Sequence, residues 1–503
     1  MKYTHVLLID IDGLRPDVFS AALRSGRTPQ IAKLVGGPGL ERGVQIPALA
    51  PAPSITFCSQ ACLFTGAHPS QHGIPGNQFF DRFGIHSDGV PRHYAFDVGD
   101  TLSADDAVRV FTEGLASQCL LIPTIYERFA DWGWRSVVAG NMYARGADTW
   151  LKPSLVNIAR FTKGGNLFGM SAREYDRHIV QQAIDHITAR GLPEVLTIYF
   201  MGLDHESHHH GPEAQLDHLA NVIDPMIGEL WDAITTLTPN SLIPNILTVI
   251  FSDHGQIRVT PDDRHSLRLT FPFEREMGHL FDALSLDVHD FPGEDPDCDA
   301  VVASNGGLAH VYLQNRTGRW ADAPDFERDV LPVGCTFWRA NATGKYASEL
   351  EGALSGVLIR NIEKVGWYAP YRALAPGGEI VSLEEWFSEA HQFTNSPICQ
   401  TYADPVHRLN CLASPMTGDL LLISNYAEGF YFGAPITGVH GGLHPEDSAA
   451  TLAFGFPGAD EAAAEAARIA IREAIATRCQ AEGGRQPSTA DLLTGLLGML
   501  LNH

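Results

Sequence analysis

The run His5-Val6-Leu7-Leu8-Ile9-Asp10-Ile11, stopped by Asp12-Gly13, decides how the chain is read. It is apolar almost without alternation, the pattern of a strand buried on both faces in a parallel sheet. Working outward, similar runs recur at Ser136 to Ala139, Glu194 to Phe200 and Ile246 to Phe251. Helical stretches separate them: Thr28 to Leu34, Pro123 to Trp132, the amphipathic Ser171 to Ala189, and Pro212 to Leu237. Strand and helix alternating at this spacing predict an α/β fold with a mostly parallel sheet flanked by helices. In such sheets ligands bind beyond the carboxyl ends of the strands. Asp12, Asp204 and Asp253 each stand at that end of a predicted strand.

From 258 to 417 the pattern loosens into short strands such as Ala309 to Leu313 and the acidic loop Gly293 to Asp297. The expectation is a catalytic core of 1–257 and 418–503 with an inserted cap at 258–417 that sets substrate specificity. Asp419 to Ser424 is expected to return to the core sheet. Two helices, Ala462 to Thr477 and Thr489 to Leu501, close the chain.

With 45% hydrophobic and 19% charged residues the composition is that of a soluble globular protein. No run approaches the roughly 18 apolar residues of a membrane span. The N-terminus lacks a signal-peptide pattern, so the cytoplasm is expected. A net charge of -24 argues against a nucleic-acid polymer as partner. It leaves room for a small phosphorylated substrate, because bound metal ions reverse the sign locally. The eight cysteines, at 58, 62, 119, 298, 335, 399, 411 and 479, form no CxxC pair and read as buried free thiols.

The chemistry centres on Pro53-Ser54-Ile55-Thr56-Phe57-Cys58-Ser59-Gln60, a turn that sets Thr56 just ahead of a helical run from Ser59 to Phe64. A loop-to-helix junction exposes a side chain and lends free N–H groups to an anion. Alone, such a threonine is usually just a turn residue; its partners decide. Asp204-His205-Glu206-Ser207-His208 places an Asp and a His one helical turn apart, although His208-His209-His210 also reads as a solvated loop. Asp253-His254 and His440 read either as ligands or as a capping Asp and a loop histidine. Together, Asp12, Thr56, Asp204 and Asp253 offer oxygens and His208, His254 and His440 offer imidazoles. That mixed set suits Zn²⁺, whereas Mg²⁺ favours oxygen almost alone. Seven ligands suit two ions, which about 4 Å apart clamp the attacking and leaving oxygens of an in-line displacement. Binding to one ion would activate the threonine hydroxyl.

The motifs Leu8-Ile9-Asp10-Ile11-Asp12-Gly13-Leu14-Arg15, Ser54-Ile55-Thr56-Phe57, and Thr65-Gly66 with Pro69 and His72-Gly73-Ile74 open an ordered series. Asp204 to His208 with Gly211-Pro212, Ser252-Asp253-His254-Gly255 and Gly438-Val439-His440-Gly441 complete it. In this order they resemble the alkaline phosphatase superfamily, in its type I phosphodiesterase/nucleotide pyrophosphatase branch. The resemblance implies that superfamily's three-layer fold. It also implies one zinc on Asp204, His208 and His440, and another on Asp12, Asp253 and His254 with the Thr56 oxygen. It implies that Asn77 hydrogen-bonds a phosphoryl oxygen and that Thr56 forms a phospho-threonine intermediate. Mn²⁺ or another divalent ion also fits. Cys58 and Ser59 depart from the Pro and Asn often found there, and His205 and Glu206 are bulkier than usual. Phe57 and His205 are accordingly candidate substrate contacts.

The expected activity is hydrolysis of phosphodiester or pyrophosphate bonds in a small, nucleotide-like substrate. A phosphonoacetate-type carbon–phosphorus hydrolase or a phosphomonoesterase is the alternative within the superfamily. A catalytically idle ligand-binding homologue is the alternative outside enzymes.

Overall fold

The computed structural model describes residues 3–97, 105–154, 156–158, 170–238, 245–269, 277–316, 318–388 and 402–500. The opening run forms the strand His5–Ile11 at the centre of a seven-stranded sheet. The strand order is Gly43–Gln45, Leu452–Gly455, Ile246–Phe251, His5–Ile11, Val195–Phe200, Ser136–Ala139 and Thr149–Leu151. The last five of these are parallel, with Ile9 in register with both Ile198 and Ile250. Leu452–Gly455 joins antiparallel to Ile246–Phe251.

The lack of alternation in the first strand now has its reason. Val6 and Leu8 bury against Phe64, Phe454 and Leu496 on one face. Leu7, Ile9 and Ile11 bury against Leu34, Ile179 and Ile227 on the other. Helices Thr56–Thr65, Glu461–Ala481 and Asp491–Leu500 cover the first face, and Ala172–Arg190 and Asp224–Leu237 the second. Each fully buried aliphatic side chain contributes about 1.5–3 kcal/mol, so both faces must be covered for the strand to exist.

A second seven-stranded sheet runs Val288–His289, Ala300–Asn305, Leu308–Leu313, Leu420–Ser424, Leu354–Ile359, Arg372–Leu374 and Ile380–Val381. Here one expectation is corrected. Leu420–Ser424 does not return to the core sheet but lies at the middle of the second, with Leu421 opposite both His310 and Leu358. A short, wholly buried apolar strand suits the interior of either sheet, and its anchors decide between them. Asp419, just before it, accepts hydrogen bonds from Leu313 N at 2.7 Å and from Arg82 Nη2 at 3.0 Å, with both charged side chains fully buried. Leu452–Gly455, which the periodicity passes over, takes the place in the core sheet.

The seven cysteines within the described residues are free thiols; Cys399 and Leu501 lie outside them. Among the described residues, no helix is long and apolar enough to cross a membrane.

Candidate active site

Three neighbouring parallel strands end together and deliver the site. His5–Ile11 leads into Asp12, Ile246–Phe251 leads through Ser252 into Asp253-His254, and Val195–Phe200 runs into the helix Gly202–His210 carrying Asp204 and His208. The His208-His209-His210 segment is therefore helical, and the four-residue spacing does bring Asp204 and His208 together. Gly13 allows the sharp exit after Asp12: its φ is +70°, and a Cβ there would stand 2.9 Å from Asp204 Oδ1. Thr56 is the first residue of the helix Thr56–Thr65, which begins before the expected Ser59.

Thr56 Oγ1 lies 3.1 Å from His254 Nε2. His254 Nε2 is 3.2 Å from Asp253 Oδ2 and 3.5 Å from Asp12 Oδ1. On the other side His208 Nε2 is 3.0 Å from Asp204 Oδ2 and 3.2 Å from His440 Nε2. The rings of His254 and His440 stack with centroids 3.7 Å apart and join the two halves.

All three imidazoles are oriented alike. Nδ1 of His208 donates to Gly438 O at 2.7 Å, that of His254 to Gly255 O at 3.0 Å, and that of His440 to Ser54 O at 3.2 Å. Each carbonyl fixes the tautomer with the proton on Nδ1 and leaves the Nε2 lone pair facing the centre, the arrangement of metal-binding histidines. Burial, and then the adjacent His254, hold His440 well below the usual imidazole range, so it is neutral, the form that ligates.

The three carboxylates are perturbed in opposite directions. Burial, then Asp253 and Asp204, pushes the Asp12 carboxyl well above the usual range. Burial also raises Asp253, with His254 opposing. Burial would raise Asp204, but His208, His440 and His254 outweigh it and hold that group far below the ordinary value. Oδ1 of Asp12 and Oδ2 of Asp253 are buried and have no hydrogen-bond partner among the described residues. Buried acceptors of this kind are costly unless something satisfies them, and a divalent cation would satisfy both. The donor atoms form two triads, Asp12/Asp253/His254 and Asp204/His254/His440, each within 4.8 Å. His208 adds a further imidazole to the second.

Asn77 is close by: its Oδ1 accepts from Phe57 N at 2.9 Å, which caps the helix that starts at Thr56. Asn305, from the second sheet, accepts from the N–H groups of Asn77 and Gln78 at 2.7 and 3.1 Å. Phe57, expected as a substrate contact, turns its side chain inward. Its ring is buried 5.2 Å from that of Phe96, because the turn that exposes Thr56 rotates the next side chain into the core. His205 is half-buried against the His209 ring at 4.6 Å, and burial, then His209, lowers it to about 4.

Two contacts escape the sequence reading. Tyr199 O–H donates to Asp12 Oδ2, and Gln256 Nε2 donates to Asp204 Oδ1. Gln256 directly follows the Asp253-His254-Gly255 motif, which is a signal of place but not of partner. Tyr199 has no signal beyond a polar tip inside a buried strand. Beneath them Asp10 is fully buried, accepting from Gln60 at 3.2 Å and Asn141 at 2.9 Å.

The sequence profile of the Type I phosphodiesterase / nucleotide pyrophosphatase family matches residues 6–336. An uncharacterized pyrophosphatase/phosphodiesterase of Schizosaccharomyces pombe is 26% identical over 264 residues, covering 52% of this chain and 46% of that protein. The match thus spans under half the length of this curated relative. Murine ectonucleotide pyrophosphatase / phosphodiesterase 5 is similar in structure, with a TM-score of 0.55 at 13% identity over 99% of this chain and 95% of its own. An inactive variant of the murine protein in complex with AMP gives 0.54 at 12% identity, with the same coverage. At these identities the likeness is one of fold.

Proposed function

The chain belongs to the type I phosphodiesterase / nucleotide pyrophosphatase family, and from that premise we propose that it hydrolyses a phosphodiester or pyrophosphate bond of a small, nucleotide-like substrate with Thr56 as nucleophile. The observation that carries this reading is Thr56 Oγ1 lying 3.1 Å from His254 Nε2, where inward-facing imidazole nitrogens meet unsatisfied buried carboxylate oxygens.

Asp204, His208 and His440 would hold one divalent ion and Asp12, Asp253 and His254 the other. The His/Asp donor set favours zinc. When bound, such ions lower the pKa of the threonine hydroxyl and neutralise charge on the attacking and leaving oxygens. The chain's own residues do the rest. Carbonyls of Gly438, Gly255 and Ser54 hold the imidazoles in the ligating tautomer, and Tyr199 and Gln256 hold Asp12 and Asp204 in place. Thr56 gives up its hydroxyl proton to solvent and attacks phosphorus in line as the P–O bond to the leaving group breaks; water then cleaves the phospho-threonine P–O bond, returning a proton to Thr56 and releasing the phosphoryl product. Asn77 keeps its side-chain NH₂ as donor to a phosphoryl oxygen while its Oδ1 is held by Phe57 N.

The AMP complex of the murine relative supports a nucleotide-like substrate. We assign substrate choice to the 258–417 region, supported by Asn305 reaching Asn77, and to His205. The free thiols support a reducing, cytoplasmic compartment.

The test is a hydrolysis panel with the zinc-loaded protein. It compares bis-p-nitrophenyl phosphate, p-nitrophenyl phosphate, a nucleotide p-nitrophenyl ester and phosphonoacetate, each with and without chelator. The nucleotide ester is expected to turn over fastest, with Thr56→Ala or Asp253→Ala losing on the order of 10³-fold or more. Preference for phosphonoacetate or the monoester redirects the substrate class. Turnover of none favours the idle ligand-binding homologue.

A further inference from the structure

Outside the site above, one more cluster of metal-ligating side chains stands among the described residues. His68, His407 and Cys411 have ligand atoms all within 4.8 Å of one another. His407 and Cys411 are four apart on the helix Pro405–Asn410 and its C-cap, where Cys411 N bonds His407 O at 2.9 Å. That spacing stacks the two side chains on one face, and Cys411 Sγ is 3.3 Å from His407 Nε2. His68 comes from another part of the chain, just before the helix Pro69–His72, and its ring stands edge-on to that of His407 at 5.6 Å. The backbone already holds the two segments together, with Ser70 N donating to Cys411 O at 2.9 Å. Glu482 Oε2 lies 3.1 Å from His68 Nε2, and the same carboxylate accepts from Arg478 Nε at 2.9 Å and Arg485 Nε at 2.5 Å, so it orients His68 while its charge is matched by the arginines. All three cluster residues are half-buried and line one cleft, so an ion has a way in.

We infer that His68, His407 and Cys411 bind a structural metal ion of the zinc type, separate from the catalytic centre, with water as fourth ligand. The donor chemistry selects the ion: one thiolate and two imidazoles suit Zn²⁺ and its borderline-soft neighbours and not Mg²⁺ or Ca²⁺. The spacing agrees, since tetrahedral bonds of the usual zinc lengths place adjacent N and S ligand atoms about 3.3–3.7 Å apart. As the Sγ–metal bond forms, the Cys411 thiol releases its proton to solvent, and the metal is neither oxidised nor reduced.

The site has a mechanical consequence. Arg408, on the same helix, donates through Nη2 to Pro51 O at 2.7 Å and to Gly442 O at 3.2 Å. Those carbonyls lie on the segment entering Thr56 and on the segment leaving His440. An ion that ties His68 to this helix braces both segments.

Cobalt(II) substitution of the full-length protein tests the inference. The proposed catalytic ligands include no cysteine, so thiolate-to-cobalt charge-transfer absorption in the near ultraviolet reads only a cysteine site. Wild-type protein is expected to show this band. Cys411→Ser should abolish it and remove one bound ion per chain. His407→Gln and His68→Gln keep the thiol and should weaken cobalt binding at least tenfold, which preserves the test if the cysteine variant folds poorly. Absence of the band in the folded wild type, or its persistence undiminished in Cys411→Ser, overturns the inference. Because that band is independent of turnover, failure here and failure of the hydrolase reading are told apart.

Discussion

Replacing Gly306 with alanine gives a sharp test of how the second sheet supports the candidate active site. Gly306 lies in the turn between Ala300–Asn305 and Leu308–Leu313, at φ +66°, and a Cβ there would stand 1.8 Å from the carbonyl oxygen of His440. Real Cβ atoms essentially never approach closer than 3.0 Å, so the two backbones must separate by about 1.2 Å, the difference of those distances. The oxygen belongs to His440 itself, whose imidazole is held to Ser54 O only two residues before Thr56. A misplacement of about 1 Å in such a constellation costs roughly 10²-fold in rate. Gly306→Ala is therefore expected to lower kcat/KM on a nucleotide p-nitrophenyl ester by about 10²-fold and to reduce bound zinc. Left-handed backbone strain adds about 1–2 kcal/mol of destabilisation, which a control isolates. Gly352→Ala carries similar strain at φ +75° but meets nothing within 4 Å, so it should lose comparable stability and keep its activity. Kinetics, metal content and thermal melts of both variants decide the matter. A Gly306→Ala enzyme within about threefold of wild type, with full zinc content, would refute the reasoning.

Three other outcomes are expected. Arg82→Met strands the fully buried Asp419 carboxylate and should cost about 3–5 kcal/mol in urea unfolding; adding Asp419→Leu should recover a large part, and a single-variant loss below about 1 kcal/mol would contradict this. Burial lowers His72 and His310 from 6.5 to about 3. Both are neutral in the fold and take up protons more readily when unfolded, so their contribution to stability is present above pH 6.5 and drains away as pH falls toward 3. Urea midpoints should drop over that window, with a shallower slope in His310→Gln; identical slopes argue against it. Chelation leaves Asp12, Asp204 and Asp253 facing one another without a cation, so EDTA should abolish turnover and lower the melting temperature, with zinc restoring both. Unchanged activity and melting after verified metal removal would remove the metal assignment.

Local pattern carries much of this protein. The doubly buried first strand, the alternation of strand and helix, and the carboxylates at strand ends are legible because each depends on a residue's type and spacing along a few turns of chain. His5–Ile11 had to be an inner strand, since Leu7 and Leu8 both need apolar partners and lie on opposite faces. Asp12, Asp204 and Asp253 meet because parallel strands in register end at one edge.

Pairing across long separations was decided only in three dimensions. Leu420–Ser424 has the composition of either sheet, and the buried Asp419–Arg82 contact placed it in the second. Phe57 packs inward and Tyr199 meets Asp12 for reasons of rotation and register that no short motif encodes. The inward aim of the three imidazoles depends on carbonyls of Gly438, Gly255 and Ser54. Residue type supplied the candidate ligands, and the folded backbone supplied their direction, because a hydrogen bond to a distant carbonyl exists only once both segments are packed in place.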